Sequence, residues 1–208
     1  MKTGKIIIFS GPSGSGKTTI VKHLLKKENL SLAFSISATS RLPRKGEING
    51  KDYFFLKEKD FVEKVKNDEF IEHEEVYPGS FYGTLKNEIN RIWGLGKNII
   101  FDIDVIGGLN IKKKYPDKTL SIFIKTPDIN DIKKRLIKRN LDSKKMLKIR
   151  VNKIHEEIKL AERFDISLLN NDLDKAKNKA ERLVENFINN WKQSDVFLEL
   201  LTLFIMDI

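Results

Sequence analysis

The sequence predicts an α/β fold with three layers, in which helices cover both faces of a mainly parallel sheet. Three features lead to this prediction: a glycine-rich turn between an apolar strand and a helix, strand patterns that alternate with helix patterns along most of the chain, and polar residues directly after apolar strands. Sheets of this kind bind ligands at the carboxyl ends of their strands. We therefore expect the functional residues along that edge of the sheet.

The glycine-rich turn near the N-terminus has the pattern of a phosphate-binding loop. It follows the apolar residues 6–9, precedes a segment with apolar residues at helical spacing, and reads G-x-x-x-x-G-K-T, which is the Walker A pattern. Its glycines let backbone N–H groups converge on phosphate oxygens, and the following helix N-terminus adds partial positive charge. Lys17 is expected to reach the outer phosphates, and the Thr18 hydroxyl to ligate Mg²⁺. The turn thus predicts a P-loop NTPase fold that binds a nucleoside triphosphate through Gly11, Pro12, Ser13, Gly14, Ser15, Gly16, Lys17 and Thr18.

The composition excludes several other kinds of protein. A length of 208 residues allows one domain or two small ones, and a chain without cysteine has neither disulfides nor a cysteine–zinc site. The first apolar run is too short for the core of a signal peptide, so a cytoplasmic protein is predicted. The net charge is +10, but the lysines are spread along the chain and form no basic–aromatic stripe. We therefore expect nucleotides, and not a nucleic acid, as the anionic partners.

The segment 33–96 has the pattern of a small mixed module inserted into the core. Strand patterns are predicted at 32–39, 53–56 and 70–77, a short helix at 60–65, and a second helix capped by Thr84 that runs to about Leu95. Arg41 and Arg44 lie in a turn-rich stretch of the module. Two guanidinium groups there are suited to clamp a second phosphate, although a solvated basic loop is the alternative.

The second half of the chain returns to the core and adds a candidate lid. A strand over 98–104 ends in Asp102 and Asp104, which is the Walker B pattern, so Asp102 is expected to help hold Mg²⁺. Arg139 and Arg150 lie on either side of a predicted helix–turn–helix, which has a good shape for a lid; two exposed basic residues are the alternative. We predict three core segments, one module, one lid and one extension, which span 1–32, 97–126 and 164–192 (core), 33–96 (module), 127–163 (lid) and 193–208 (apolar extension).

Residues 4 to 190 resemble the guanylate kinases, a family of P-loop nucleoside monophosphate kinases. The most specific match is residues 37–53, where S-x-x-x-R-x-x-R-x-x-E-x-x-x-x-x-Y is similar to the GMP-binding signature of that family. Shorter matches follow at F-I-E (70–72), Y-G-T (82–84) and D-I-D (102–104), and at the two lid arginines. The match departs from the family at an apparent extra residue near Pro78, at Asn140 in place of glycine, and at Ile106 in place of glutamine.

This resemblance implies a function and a role for each matched residue. The chain would phosphorylate GMP, and dGMP as well, to GDP with ATP and Mg²⁺ by direct in-line transfer, as part of purine nucleotide metabolism. Lys17, Arg139 and Arg150 would be catalytic, and Asn171, or its neighbour Asn170, would lie near the adenine of ATP. The implied GMP-binding residues are Ser37, Arg41, Arg44, Glu47, Tyr53, Glu72, Tyr82, Thr84 and Asp104.

Two alternatives and the role of the tail are left open by the sequence. The same fold serves as a binding module in some proteins, but those typically lose the phosphate loop or the lid arginines. A kinase for another acceptor, such as a ribose bisphosphate, is disfavoured by Ser37, Glu72 and Tyr82.

The apolar tail 193–208 is too short to span a bilayer. It is expected to pack on the core or on a second copy of the chain in a homo-oligomer, with a membrane-surface contact as the weaker alternative.

Overall fold

The computed structural model describes residues 4–130, 132, 134 and 144–189. The strands in chain order are β1 (Ile6–Ser10), β2 (Leu32–Phe34), β3 (Ala38–Thr39), β4 (Phe54–Phe55), β5 (Phe70–Tyr77), β6 (Ser80–Leu85), β7 (Asn98–Asp102), β8 (Thr119–Lys125) and β9 (Ile166–Leu169). The α-helices are α1 (Lys17–Leu24), α2 (Glu58–Lys66), α3 (Lys86–Gly94), α4 (Val105–Lys114), α5 (Lys144–Lys159) and α6 (Leu173–Asn189).

A parallel sheet forms the centre of the molecule. Its strand order is β2-β7-β1-β8-β9, and each neighbouring pair is parallel. All of β1 is buried, and its side chains alternate between two apolar clusters. Ile7 and Phe9 join residues of α1 and α6 on one face, whereas Ile6 and Ile8 join residues of α3 and α4 on the other. The predicted three-layer α/β fold with a mainly parallel sheet is therefore confirmed.

A second, four-stranded sheet belongs to the predicted module. Its order is β4-β3-β6-β5, with β3 parallel to β4 and the other pairs antiparallel. It has a small core of its own, in which the rings of Phe61 and Phe70 stack at 4.5 Å with Ala38 beside them. The helix α2 on this sheet has acidic residues in its first turn and basic residues in its last, which suits its dipole.

The structure corrects three of the predicted elements. The strand expected over 32–39 is two strands in different sheets, because the Ile36 N–H turns away to donate to the Glu88 carboxylate at 2.9 Å. Thr84 lies inside β6 and does not cap a helix; α3 begins at Lys86, and the Thr84 hydroxyl donates to Glu72. The strand expected to reach Asp104 ends at Asp102.

Several predictions lie outside the described residues. These are the positions of Arg139 and Asn140 and the packing of the tail 193–208. In the part of the chain that the structure describes, no helix combines the length and the apolar character that crossing a bilayer requires.

Candidate active site

A cleft of about 590 Å³ lies between the carboxyl ends of the parallel strands and the second sheet. Its volume is in the range of pockets that hold small molecules. The cleft brings together most of the residues that the sequence singled out, although they come from distant parts of the chain. Those that line it are Gly11, Ser13, Gly14, Gly16, Lys17, Thr18, Ser37, Arg41, Arg44, Glu47, Tyr53, Glu72, Tyr82, Asp102, Asp104 and Arg150.

The backbone of the phosphate loop favours glycine at three positions, because Gly11, Gly14 and Gly16 all have positive φ. Gly11 has φ 136°, and a Cβ there would lie 2.7 Å from the carbonyl oxygen of Ile124. Gly16 has φ 100°, and a Cβ there would overlap Nδ2 of Asn170. The buried Asn170 side chain donates from Nδ2 to the carbonyl oxygen of Ser15 at 2.7 Å. The Asn170 amide thus holds the backbone of the loop and does not itself line the cleft.

Lys17 and Thr18 are the first two residues of α1 and lie beside the phosphate loop. Lys17 Nζ donates to the carbonyl oxygens of Gly11 at 2.6 Å and Pro12 at 3.0 Å, so its ammonium group lies over the loop. The Thr18 hydroxyl donates to the Asp102 carboxylate, which follows from the position of β7 beside β1. A hydroxyl and a carboxylate in contact fit Mg²⁺, which takes a few protein oxygens and fills its other positions with water and phosphate.

The side chain of Arg41 is held by three neighbouring side chains, Glu47, Tyr82 and Tyr53. Its Nη1 and Nη2 donate to the two carboxylate oxygens of Glu47 at 2.6 and 2.8 Å, and its Nε donates to the Tyr82 hydroxyl at 3.0 Å. Its guanidinium carbon also lies 4.8 Å from the centre of the Tyr53 ring. The hydrogen bond from Arg41 holds the pKa of Glu47 below its usual range, and burial raises the pKa of Tyr53 to about 12. The phenol therefore remains a neutral donor beside a permanent cation.

Glu72 presents a buried carboxyl group to the cleft from β5. It is 6% exposed, and the Thr84 hydroxyl donates to its Oε1 at 2.7 Å because the two residues are paired across β5 and β6. Its Oε2 faces Gly107, where a Cβ would lie only 2.8 Å away. Burial, with smaller contributions from Asp104 and Glu74, raises the pKa of Glu72 to about 8, although the bond from Thr84 opposes this.

Asp104 has a structural role that the sequence did not reveal. Its Oδ1 accepts the backbone N–H groups of Ile106 at 3.0 Å and Gly107 at 3.1 Å, which makes it the N-cap of α4. Its other oxygen faces the Gly107 position, where a Cβ would lie 3.0 Å away. Asp104 therefore both begins a helix and lines the cleft.

The helix α5 brings Arg150 over the phosphate loop. Arg150 is 8% exposed, and its Nη1 donates to the Ser13 hydroxyl at 3.0 Å. Glu157, two helical turns further on, is buried and lines the same cleft. Burial raises the pKa of Glu157 to about 7, while the charges of Lys17, Lys153 and Arg150 act in the opposite direction.

Sequence reasoning missed Lys153, Glu157 and Tyr77, and it left open which of the adjacent residues Asn170 and Asn171 lies at the site. Asn170, and not Asn171, contacts the phosphate loop; Asn171 is exposed, lies outside the cleft lining, and accepts from the N–H of Asp172. Lys153 and Glu157 follow Arg150 at helical spacings of three and seven, a signal in the sequence that indicates one face of α5. Tyr77 carried no such signal.

The chain is similar to the guanylate kinases in both sequence and structure. The family model for guanylate kinase matches residues 3–187. A guanylate kinase of Bacteroides fragilis is 47% identical over 189 residues, which cover 90% of this chain and 92% of that protein. A guanylate kinase of Mycoplasma mobile is 42% identical over 194 residues, which cover 91% and 96%. The crystal structure of guanylate kinase from Anaplasma phagocytophilum matches with a TM-score of 0.74 at 28% identity, and the match covers 96% of this chain and 94% of that one.

Proposed function

The chain belongs to the guanylate kinase family, and on that premise we propose that it phosphorylates GMP to GDP with ATP as the donor. The observation that carries the proposal is the composition of one cleft. The phosphate loop lies on one wall of the cleft. The buried carboxyl group of Glu72 and the guanidinium of Arg41, which is hydrogen-bonded to Glu47, lie on the other wall. Such a cleft is suited to hold two nucleotides with their phosphates facing each other.

We assign the donor side of the cleft to ATP. The backbone N–H groups of residues 11–18 would hold its phosphates, and Lys17 would turn from the loop carbonyls toward the outer phosphates. Thr18 and Asp102 would hold Mg²⁺, which would reduce the negative charge of the phosphates. Asn171 beside the adenine remains a proposal from the family resemblance, and its exposed position outside the cleft lining gives it no further support.

We assign the acceptor side to GMP. Arg41, Arg44, Tyr53 and Tyr82 would hold the phosphate, while Glu47 keeps the Arg41 guanidinium oriented. Glu72 would accept from the N1–H and the amino group of guanine, which adenine does not offer together. The other residues that would contact the guanine base are Ser37, Thr84 and Asp104. A buried carboxyl left unpaired by the wrong base would produce strong discrimination.

The transfer itself needs positions and charges and no covalent enzyme intermediate. An oxygen of the GMP phosphate would form a bond to the γ-phosphorus of ATP while the bond from that phosphorus to ADP breaks in line. Lys17, Arg139 and Arg150 would stabilise the charge on the transferring group, and the contact of Arg150 with Ser13 supports its part. Closure of the module 33–96 and the lid 127–163 over the core would exclude water. None of the roles assigned above involves the ribose, so dGMP is expected to serve as an acceptor as well.

A coupled assay for ADP formation tests the proposal. ATP and Mg²⁺ are supplied with GMP, dGMP, AMP, CMP, UMP or ribose 1,5-bisphosphate as separate acceptors. Turnover limited to GMP and dGMP is the expected result. Faster turnover with the ribose bisphosphate would contradict the guanine-binding role of Glu72. A folded protein that binds GMP without turnover with any acceptor would indicate a binding module.

Since both substrates are cytoplasmic metabolites, we also propose a cytoplasmic location.

A further inference from the structure

Tyr77 lies where the lid helix meets the GMP-binding module. It is the last residue of β5, and its ring faces the helix α5 and lines the cleft. The guanidinium carbon of Arg150 lies 4.8 Å from the centre of the ring, and Nζ of Lys153 lies 5.3 Å from it. Because Arg150 and Lys153 are separated by one helical turn, a single ring contacts both cations of this face.

Two hydrogen bonds connect this contact to the rest of the site. Lys153 Nζ donates to the carbonyl oxygen of Val76 at 2.9 Å, which ties α5 to the end of β5. Arg150 Nη1 donates to the Ser13 hydroxyl at 3.0 Å, which ties the same face of α5 to the phosphate loop. The guanidinium of Arg150 is thus held between the phosphate loop and the ring of Tyr77, and it is 8% exposed.

We propose that Tyr77 is a positioning residue that holds the Arg150 guanidinium over the phosphate loop and couples the GMP-binding module to the lid helix. The inference rests on the proposed function, in which Arg150 stabilises the transferring phosphoryl group. It assigns to Tyr77 an effect on the chemical step that is larger than its effect on GMP binding.

An aromatic ring is well suited to this task. The face of the ring attracts a cation and uses none of its N–H donors, so Nη1 of Arg150 can donate to Ser13 while the ring holds the guanidinium. A carboxylate at the same place would neutralise the guanidinium and would compete with the phosphate for it. Tyr77 is on β5, as is Glu72. A movement of β5 on GMP binding would therefore reach Arg150 through this ring.

Replacement of the ring tests the inference. Tyr77→Phe keeps the ring and removes the hydroxyl, whereas Tyr77→Leu removes the ring. We expect Tyr77→Phe to keep kcat within about twofold of the wild type, and Tyr77→Leu to lower kcat about tenfold with the KM for GMP changed less than about threefold. A tenfold loss corresponds to about 1.4 kcal/mol, which is in the range of a partly buried cation–π contact.

A matched control separates this effect from a general loss of packing. Lys118 Nζ lies 5.6 Å from the Trp93 ring, and Trp93 does not line the cleft. Trp93→Leu therefore removes a contact of the same kind away from the site, and we expect it to lower the melting temperature while kcat stays near the wild-type value. If Tyr77→Leu does not fold, Tyr77→Met takes its place with the same expected loss, because methionine adapts to the available space without offering a ring.

The outcomes distinguish this inference from the proposed function. If the wild type phosphorylates GMP and the ringless variant has the same kcat, the inference is refuted and the proposed function stands. An equal loss in Tyr77→Phe would also refute it, because the hydroxyl and not the ring would then be responsible. A folded wild type that is inactive with GMP would refute the proposed function, and the inference with it.

Discussion

The protonation of Glu72 is expected to make GMP binding depend on pH. Burial raises the pKa of this carboxyl from 4.5 to about 8 in the protein without nucleotide. A guanine base that donates two N–H groups to the carboxylate favours its ionised form, so binding at neutral pH must release a proton. GMP should therefore bind more tightly as the pH rises, until the pH exceeds about 8.

The size of the effect follows from the pKa. Each pH unit below the pKa of the free protein costs about tenfold in affinity, or about 1.4 kcal/mol. Between pH 6.5 and 8.5, one group with a pKa of about 8 changes the Kd about 25-fold. The second ionisation of the GMP phosphate has a pKa of about 6, so measurements above pH 6.5 keep its contribution small.

Isothermal titration calorimetry with GMP in two buffers of different ionisation enthalpy measures both the Kd and the protons released. Glu72→Gln is the matched control, and its Kd should be insensitive to pH in this window and about 30-fold weaker than the wild type at pH 8.5. Thr84→Val removes the hydroxyl that donates to Glu72 at 2.7 Å. Since that bond lowers the pKa of Glu72, the affinity of this variant should level off at a higher pH.

Two results would refute this reasoning. One is a wild-type Kd that stays constant between pH 6.5 and 8.5 with no proton released. The other is a Glu72→Gln variant with the same pH dependence as the wild type, because the titrating group would then lie elsewhere.

Three further predictions concern the phosphate loop, the part of the cleft beside Glu72 and a buried acid of helix α5. Lys17→Ala should lower kcat at least about 10²-fold, while the Kd for GMP measured by calorimetry stays within about threefold of the wild-type value. A loss of GMP binding would contradict the separation of the two nucleotide sites. Gly107→Ala places a Cβ 2.8 Å from Oε2 of Glu72, so the affinity for GMP should fall about tenfold. Gly94→Ala is the control, because a Cβ at that position meets open space. If the two variants bind GMP equally tightly, the contact with Glu72 is not the cause. Glu157 has a pKa raised to about 7 by burial, so the folded protein keeps a proton that the unfolded chain loses above about pH 4.5. The free energy of unfolding should thus fall as pH rises from about 4.5 to 7, by at most about 3 kcal/mol from this group, and urea denaturation at pH 5 and 8 should find a smaller fall in Glu157→Gln.

The phosphate loop could be predicted from the sequence in detail. Its geometry depends on neighbouring residues, because the glycines at 11 and 16 allow positive φ and the lysine and threonine follow directly at the helix start. The parallel pairing of the core strands was also accessible, since alternating strands and helices favour it, although their order in the sheet was not predicted. Both inferences use only local patterns.

The walls of the cleft depended on contacts that no local pattern encodes. Thr84 was predicted to cap a helix, but the register of β5 and β6 places its hydroxyl on Glu72. Asn170 and Asn171 are adjacent in sequence, yet the direction of the chain after β9 buries the first under the phosphate loop and exposes the second.

The sequence by itself determined the fold class, the phosphate loop and the types of residue available to a second nucleotide. The tertiary structure alone decided which of these side chains meet, as with Arg150 and Tyr77, or Arg41 and Tyr82. The physical reason is one of range. Backbone preferences and periodicity act over a few residues, whereas a contact between distant residues depends on strand register and on the packing of whole elements.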